Sequence, residues 1–120
     1  MIGLEVGISV AAVGIRGEAT GCPSHFLSDV VATAKRDLAV GEMLDGEGGY
    51  TVYGHLYPAE KSLALGGLPL GLAHNIKLLR PIAAGRPVTW ADVQIDTSLP
   101  AYRVRREMEQ MFSPQRLAAE

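Results

Sequence analysis

From Glu42 to Gly54 the chain reads EMLDGEGGYTVYG, thirteen positions holding four glycines, two tyrosines and three acidic residues. Glu47 sits between glycines, so this stretch can present a carboxylate on a wide loop. Gly48 and Gly49 would let a ligand approach the backbone closely, and Tyr50 and Tyr53 would offer hydroxyls at the edge. The same residues also make a plain turn with a solvated carboxylate and half-buried tyrosines. A second set comes from GLAHNIKL, with His74, Asn75 and Lys77. An imidazole beside an amide can bind a sugar hydroxyl or a phosphate, and Lys77 would add charge. A histidine after an apolar run equally caps a turn. Glu47, Tyr53, His74 and Lys77 are therefore the candidate substrate-binding residues.

Other chemistry finds less footing. Cys22 and His25 share the loop GCPSHF, but a nucleophilic Cys–His pair needs a geometry that spacing alone does not give. His25, His55 and His74 lack the paired spacing of a metal site. Arg16–Gly17–Glu18 would project into a neighbouring active site or form a local ion pair. Trp90 fits packing under a closing strand, and Asp92 fits the capping of a local turn. No catalytic, cofactor-binding or metal-binding residue is assigned.

The chain has 120 residues, 48% hydrophobic and 20% charged, with a formal net charge of −2. That is one folded domain. Lys and Arg are scattered apart from Arg103, Arg105 and Arg106, so no broad basic face points to nucleic acid or an anionic membrane. Cys22 is the single cysteine, which excludes an internal disulfide and fits a reducing compartment. The uncharged run Val6 to Ile15 is far below the ~20 residues of a membrane span. A cytoplasmic location is expected.

Positioning these residues falls to short elements. The first segment alternates Ile2, Leu4, Val6, Ile8 and Val10 as a strand would, yet SVAAVGI also fits a short helix capped by Ser9. RGEATGCPSHFLSD reads as loop. VVATAKRDL opens as a strand, YTVYGHLY is a second, and NIKLLR a third. LALGGLPLGLAHNIKLL is broken by glycines and a proline, which predicts turns and short strands. The clearest helix is C-terminal, with Ser98 as cap and Pro100 in the first turn. Val104, Met108, Met111 and Phe112 recur at helical spacing, and Arg103–Glu107 and Arg105–Glu109 make i, i+4 pairs. SPQRLAAE reads as a frayed tail.

An internal repeat organises the middle. AKRDLAVGEMLD (Ala34 to Asp45) overlays LLRPIAAGRPVT (Leu78 to Thr89) at a constant offset of 44. Arg36 meets Arg80, Leu38 meets Ile82, Gly41 meets Gly85, and Leu44 meets Val88. A glycine at the same place in both copies predicts a turn needing φ > 0, which makes Gly41 and Gly85 structural turns. Two such elements predict a compact, pseudo-symmetric β domain.

The stretch from Asp29 to Asp96, with its closing LLRPIAAGRPVTWADV, resembles the SAF domain, whose members share an opening ARDLxxGExL and a closing RDIxAGxxLTWxDV. The resemblance implies the β-clip fold. The expected class is therefore mostly β (α+β): a β-clip SAF domain of short strands and tight turns, with an N-terminal extension and a C-terminal helix. Across Ile2 to Phe112 the chain also resembles the C-terminal part of homoserine-dehydrogenase-like NAD(P)-dependent oxidoreductases, similar to an alternative 1-deoxy-D-xylulose 5-phosphate reductoisomerase. Such enzymes carry a Gly-rich dinucleotide fingerprint on a βαβ unit. Neither GEGG nor GGLPLG has that spacing.

The resemblance thus implies a SAF-type accessory or substrate-side module, not catalytic alone, with NAD(P) held by a nicotinamide-binding domain or subunit. Residues 1–28 would be the remnant of a preceding catalytic domain, 29–97 the SAF domain, 98–112 a helix and 113–120 a tail. The chain would be a fragment, a split subunit or a truncated gene product, and a homo-oligomer is an option. The alternative is a free-standing SAF domain binding a carbohydrate or sugar acid through the Glu47 and His74 loops. An independent sugar-acid lyase or hydratase would need an acid–base or metal constellation that the sequence lacks.

Overall fold

Two antiparallel sheets are built from β-branched and aromatic runs that favour a pleated surface. The computed structural model describes Gly3, residues 6–21 and residues 23–113. Strand β1 (Ser28–Ala34) pairs with β3 (Val52–Pro58) in register from Ser28↔Pro58 to Ala34↔Val52. A second sheet has the order β2 (Met43–Asp45), β4 (His74–Leu78), β5 (Val93–Gln94). Asn75 bulges from β4, where the register slips between Leu44 and Asp45, and it adopts a positive φ of 56°.

The two copies of the repeat interlock through a symmetric ladder. Leu38 and Ile82 exchange both backbone hydrogen bonds, at 2.8 and 3.0 Å. Ala34 N–H donates to Arg86 O at 2.9 Å, and its counterpart 44 residues on, Leu78 N–H, donates to Glu42 O at 2.9 Å. Gly85 N–H donates to Ala34 O and Gly41 N–H to Leu78 O, both at 2.8 Å. Exchanging the copies maps each bond onto another, which is a pseudo-two-fold axis between Leu38 and Ile82. Gly41 and Gly85 have φ of 83° and 74°, values a side chain would strain.

The core lies on this axis. Leu38, Leu44, Leu68, Leu78, Val52 and Val88 are buried there, with Ile76, Ile82 and Val93 around them. Leu68 N–H donates to Val88 O, and Ala32 N–H to Leu68 O. A segment expected as turns and short strands thereby fills the gap between β1 and the second repeat.

The chain is a small mixed α+β protein, and helix takes a larger share than the mostly-β expectation allowed. The ambiguous N-terminal segment is helical: α1 (Val6–Ala11) runs into a π-helical turn over Ala12–Arg16 and ends at left-handed Gly17. Ser9 lies inside α1 and caps nothing. LAL, expected among strands and turns, closes helix α2 (Ala59–Leu65), which stops at left-handed Gly66. Gly66 thus acts as a helix stop, so the glycines after it do not interrupt the helix.

The C-terminal helix α3 spans Pro100–Met111, with Pro100 at its first position and Leu99 as cap residue. Ser98 instead donates its hydroxyl and amide to Asp96. Val104 and Met111 face solvent; Tyr102, Arg105, Arg106, Met108 and Glu109 are the part-buried side chains of the helix. Cys22 lies outside the described residues, as does the tail from residue 114 onward. Among the described residues, no helix is long and apolar enough to cross a membrane.

Candidate functional site

The Glu42–Gly54 stretch folds around Asp45. Its carboxylate accepts from Tyr50 N–H at 2.6 Å, from Thr51 N–H at 3.0 Å and from the Thr51 hydroxyl, while Asp45 N–H donates back to Thr51 Oγ1 at 3.1 Å. The Thr51 hydroxyl first, then the two amides, hold the Asp45 carboxyl down at about 2 against its partial desolvation. Gly49 passes so near that a Cβ there would lie 2.1 Å from Asp45 Cγ. Its carbonyl accepts from Lys35 Nζ. Glu47 and Gly48 stand exposed at the loop tip.

His74 buttresses this loop from β4. Its Nδ1 is 3.0 Å from the Asp45 carbonyl. A carbonyl only accepts, so Nδ1 carries the proton and Nε2 keeps its lone pair when the ring is neutral. His74, Asn75, Gln94 and Asp96 supply the polar lining of a cleft of about 410 Å³ whose apolar walls include Leu72 and Leu99. Asp96 Oδ1 is engaged by Ser98, whose hydroxyl and then amide lower its pKa. A carboxylate, an imidazole and two amides beside aliphatic walls suit a small polyhydroxylated ligand: hydroxyls meet the polar groups and C–H faces the aliphatics.

Only part of the predicted set converges here. Glu47 tips the loop whose base His74 holds. Lys77 pairs with Met43 and Gln94 in the sheet, its Cε lies 3.6 Å from where a Gly41 Cβ would be, and it does not line the cleft. Tyr53 belongs to the other sheet, opposite Thr33. There Tyr53, His55 and Tyr57 form a row along β3, with ring centroids 6.5 and 4.8 Å apart. Gln94 and Asp96 escaped the sequence reading because they follow the repeat, and only the β4–β5 pairing brings them to His74. Among the described residues, Arg16 and Glu18 form no ion pair, and no three His, Cys, Asp or Glu side chains gather to hold a metal.

A second cluster is buried between β1, α2 and α3. Arg105 grips Asp29 at 3.0 and 2.5 Å and Glu109 at 2.7 Å; Ser62 donates to Asp29. Burial would raise the Asp29 carboxyl, but Arg105 and Ser62 outweigh it and leave it below its ordinary value. Arg106 binds Glu109 and lies 5.3 Å from the Trp90 ring, which meets Tyr102 edge-on at 5.5 Å. Every buried side-chain polar atom among the described residues has a partner. With its groups satisfied by one another, the cluster works as a clasp for α3. Trp90 packs against α3 as well as the core, and Asp92 forms a reciprocal cap with Thr89.

No protein-family model matches the chain, and no curated protein matches it in sequence. Function must therefore be argued from the site and the fold.

Proposed function

We propose that this chain is a SAF-type module of the β-clip fold that serves the substrate side of an NAD(P)-dependent oxidoreductase and does not catalyse alone. The observation that carries this reading is the interlocked repeat, in which two copies of the strand–turn–strand motif exchange hydrogen bonds about the Leu38–Ile82 bridge. That arrangement supports a β-clip, and the motif residues of the resemblance are the ones that build it. The apolar side chains of α1 and of the π-helical turn after it support a docked role: Val6, Ile8, Val10, Val13 and Ile15 are all more than half exposed, a patch suited to another protein surface. The nicotinamide cofactor would be bound by the partner domain or subunit. The test is to isolate the native polypeptide from its source cell, determine its mass, and titrate it with NADPH by fluorescence. Continuity or tight association with an NADPH-binding polypeptide upholds the reading; a lone folded chain without NADPH binding overturns it.

The His74 cleft favours a second reading, a free-standing SAF domain that binds a carbohydrate or sugar acid. His74, Asn75, Gln94 and Asp96 would take the hydroxyls, with Glu47 beside them on the loop. In this reading His74→Ala and Asp96→Ala each abolish sugar binding measured by calorimetry, while Lys77→Ala and Tyr53→Phe leave it intact. A binding isotherm indifferent to His74→Ala would remove the cleft from consideration.

A further inference from the structure

The pseudo-two-fold relates the backbones of the two turns but not all of the charges beside them. In the first copy, Arg36 Nη2 binds Glu42 Oε1, and Glu42 Oε2 accepts from Ala39 N–H at 3.0 Å. A carboxylate thus bridges a guanidinium and the first amide of the Gly41 turn. The equivalent positions in the second copy are Arg80, Arg86 and Ala83. The turn itself is conserved in geometry: Glu42 N–H donates to Ala39 O at 3.2 Å, and Arg86 N–H to Ala83 O at 3.1 Å. The anion has been replaced by a second cation. Ala83 N–H has no acceptor among the described residues, and Arg86 has no acidic partner there.

We infer that the Arg80–Ala83–Arg86 turn is a binding site for a small-molecule carboxylate, which occupies the place that Glu42 fills in the first copy. The carboxylate would take one oxygen to Ala83 N–H and share the other between the guanidiniums, the planar geometry that arginine favours. A cleft of about 380 Å³ opens beside the turn, lined by Ala83, Arg86, Pro87 and Leu65, with room for the rest of such a ligand. Two acidic groups face this region. Asp92 Oδ1 approaches Arg80 Nε at 4.0 Å while its other oxygen caps Thr89, and Asp37 Oδ1 accepts from Ala84 N–H at 2.8 Å. Their charges disfavour a dianion, so a singly charged carboxylate is selected over a phosphate monoester. The site is separate from the His74 cleft and stands whether or not the chain serves an oxidoreductase.

The test uses the full ¹⁵N-labelled chain and follows amide shifts during titration with sodium acetate or with inorganic phosphate, sodium chloride holding the ionic strength constant. Acetate is expected to move the Ala83 amide saturably, and phosphate to move it less. Arg86→Glu rebuilds the Glu42 arrangement: its Ala83 amide is shifted without ligand and no longer responds to acetate. Glu42→Arg is the reciprocal change and gives the Ala39 amide an acetate response that the parent lacks. Should Arg86→Glu fold poorly, Arg86→Gln keeps the bulk without the charge and weakens acetate about tenfold. An Ala83 amide that tracks acetate no better than chloride overturns the site, as does an acetate response that survives loss of the Arg86 charge. A phosphate response exceeding that of acetate overturns the carboxylate assignment.

Discussion

The carboxylate of Asp45 gathers the amides of Tyr50 and Thr51 and the Thr51 hydroxyl, and the carbonyl of the same residue anchors His74. Asp45→Asn would leave the loop in place at weaker hydrogen bonds, a loss of about 1 kcal/mol because the group is only partly buried. The depressed pKa sets the pH course. A carboxyl near 2 in the folded state, against about 3.9 unfolded, contributes stability that is complete above pH 4 and is lost as pH falls toward 2. Urea denaturation of both proteins from pH 6 to 2 should therefore show the gap closing in that window. A gap that stays constant to pH 2 would assign the difference to something other than Asp45 ionisation. Glu47 drew attention in the sequence because it is flanked by glycines, whereas the shape of the loop depends on Asp45. The signal was there in the D-x₄-Y-T spacing, since an aspartate accepts from amides later in a turn.

At the scale of elements, the repeat was readable because a two-fold ladder needs the same residue types twice: Arg36 and Arg80, Leu38 and Ile82, Gly41 and Gly85. Gly41→Ala and Gly85→Ala should each cost about 1 kcal/mol from the left-handed φ alone. Neither site has a neighbour closer than 3.6 Å to the added Cβ, so the two costs should agree. Chemical denaturation giving values that differ more than twofold would break the equivalence of the turns. Helix α3 was legible in extent but not in orientation. Its periodic Val104 and Met111 are exposed while Met108 and Phe112 are part-buried, and much of the docking face is charged because Asp29, 76 residues earlier in the chain, meets Arg105. Arg105→Met should destabilise by about 3 kcal/mol by removing the cationic partner of buried Asp29, and adding Asp29→Leu should return part of that loss. Thermal melts of the single and double variants decide this; equal melting temperatures for Arg105→Met and the parent would mean that the clasp contributes nothing.

For the whole molecule, the radius of gyration is 17.0 Å, against about 14 Å for a compact chain of this length. Helix α1 and the turn after it contribute little to the core: Ala12 is the one buried residue in those elements. Val10→Glu with Val13→Glu should abolish concentration-dependent self-association in analytical ultracentrifugation while shifting the melting temperature by no more than about 1 °C, because neither side chain supports the core. Unchanged association would exonerate the helix. The strand-or-helix ambiguity of this segment has the same origin. Without a packing partner, an apolar run carries no periodic polar face to fix its type.

The interlocked turns also dictate how the chain must fold. The ladder joins Leu38 to Ile82 and Ala34 to Arg86, so no rung can form until the intervening chain has closed into a loop. Neither copy completes its bonding alone, since Gly41 N–H needs Leu78 O and Gly85 N–H needs Ala34 O. Loop closure of this kind is the slow step for non-local topologies, which fold in about milliseconds to seconds. On the ribosome, the core cannot be completed until Val88 has emerged, and until Ile82 has emerged Leu38 lacks its bridge partner.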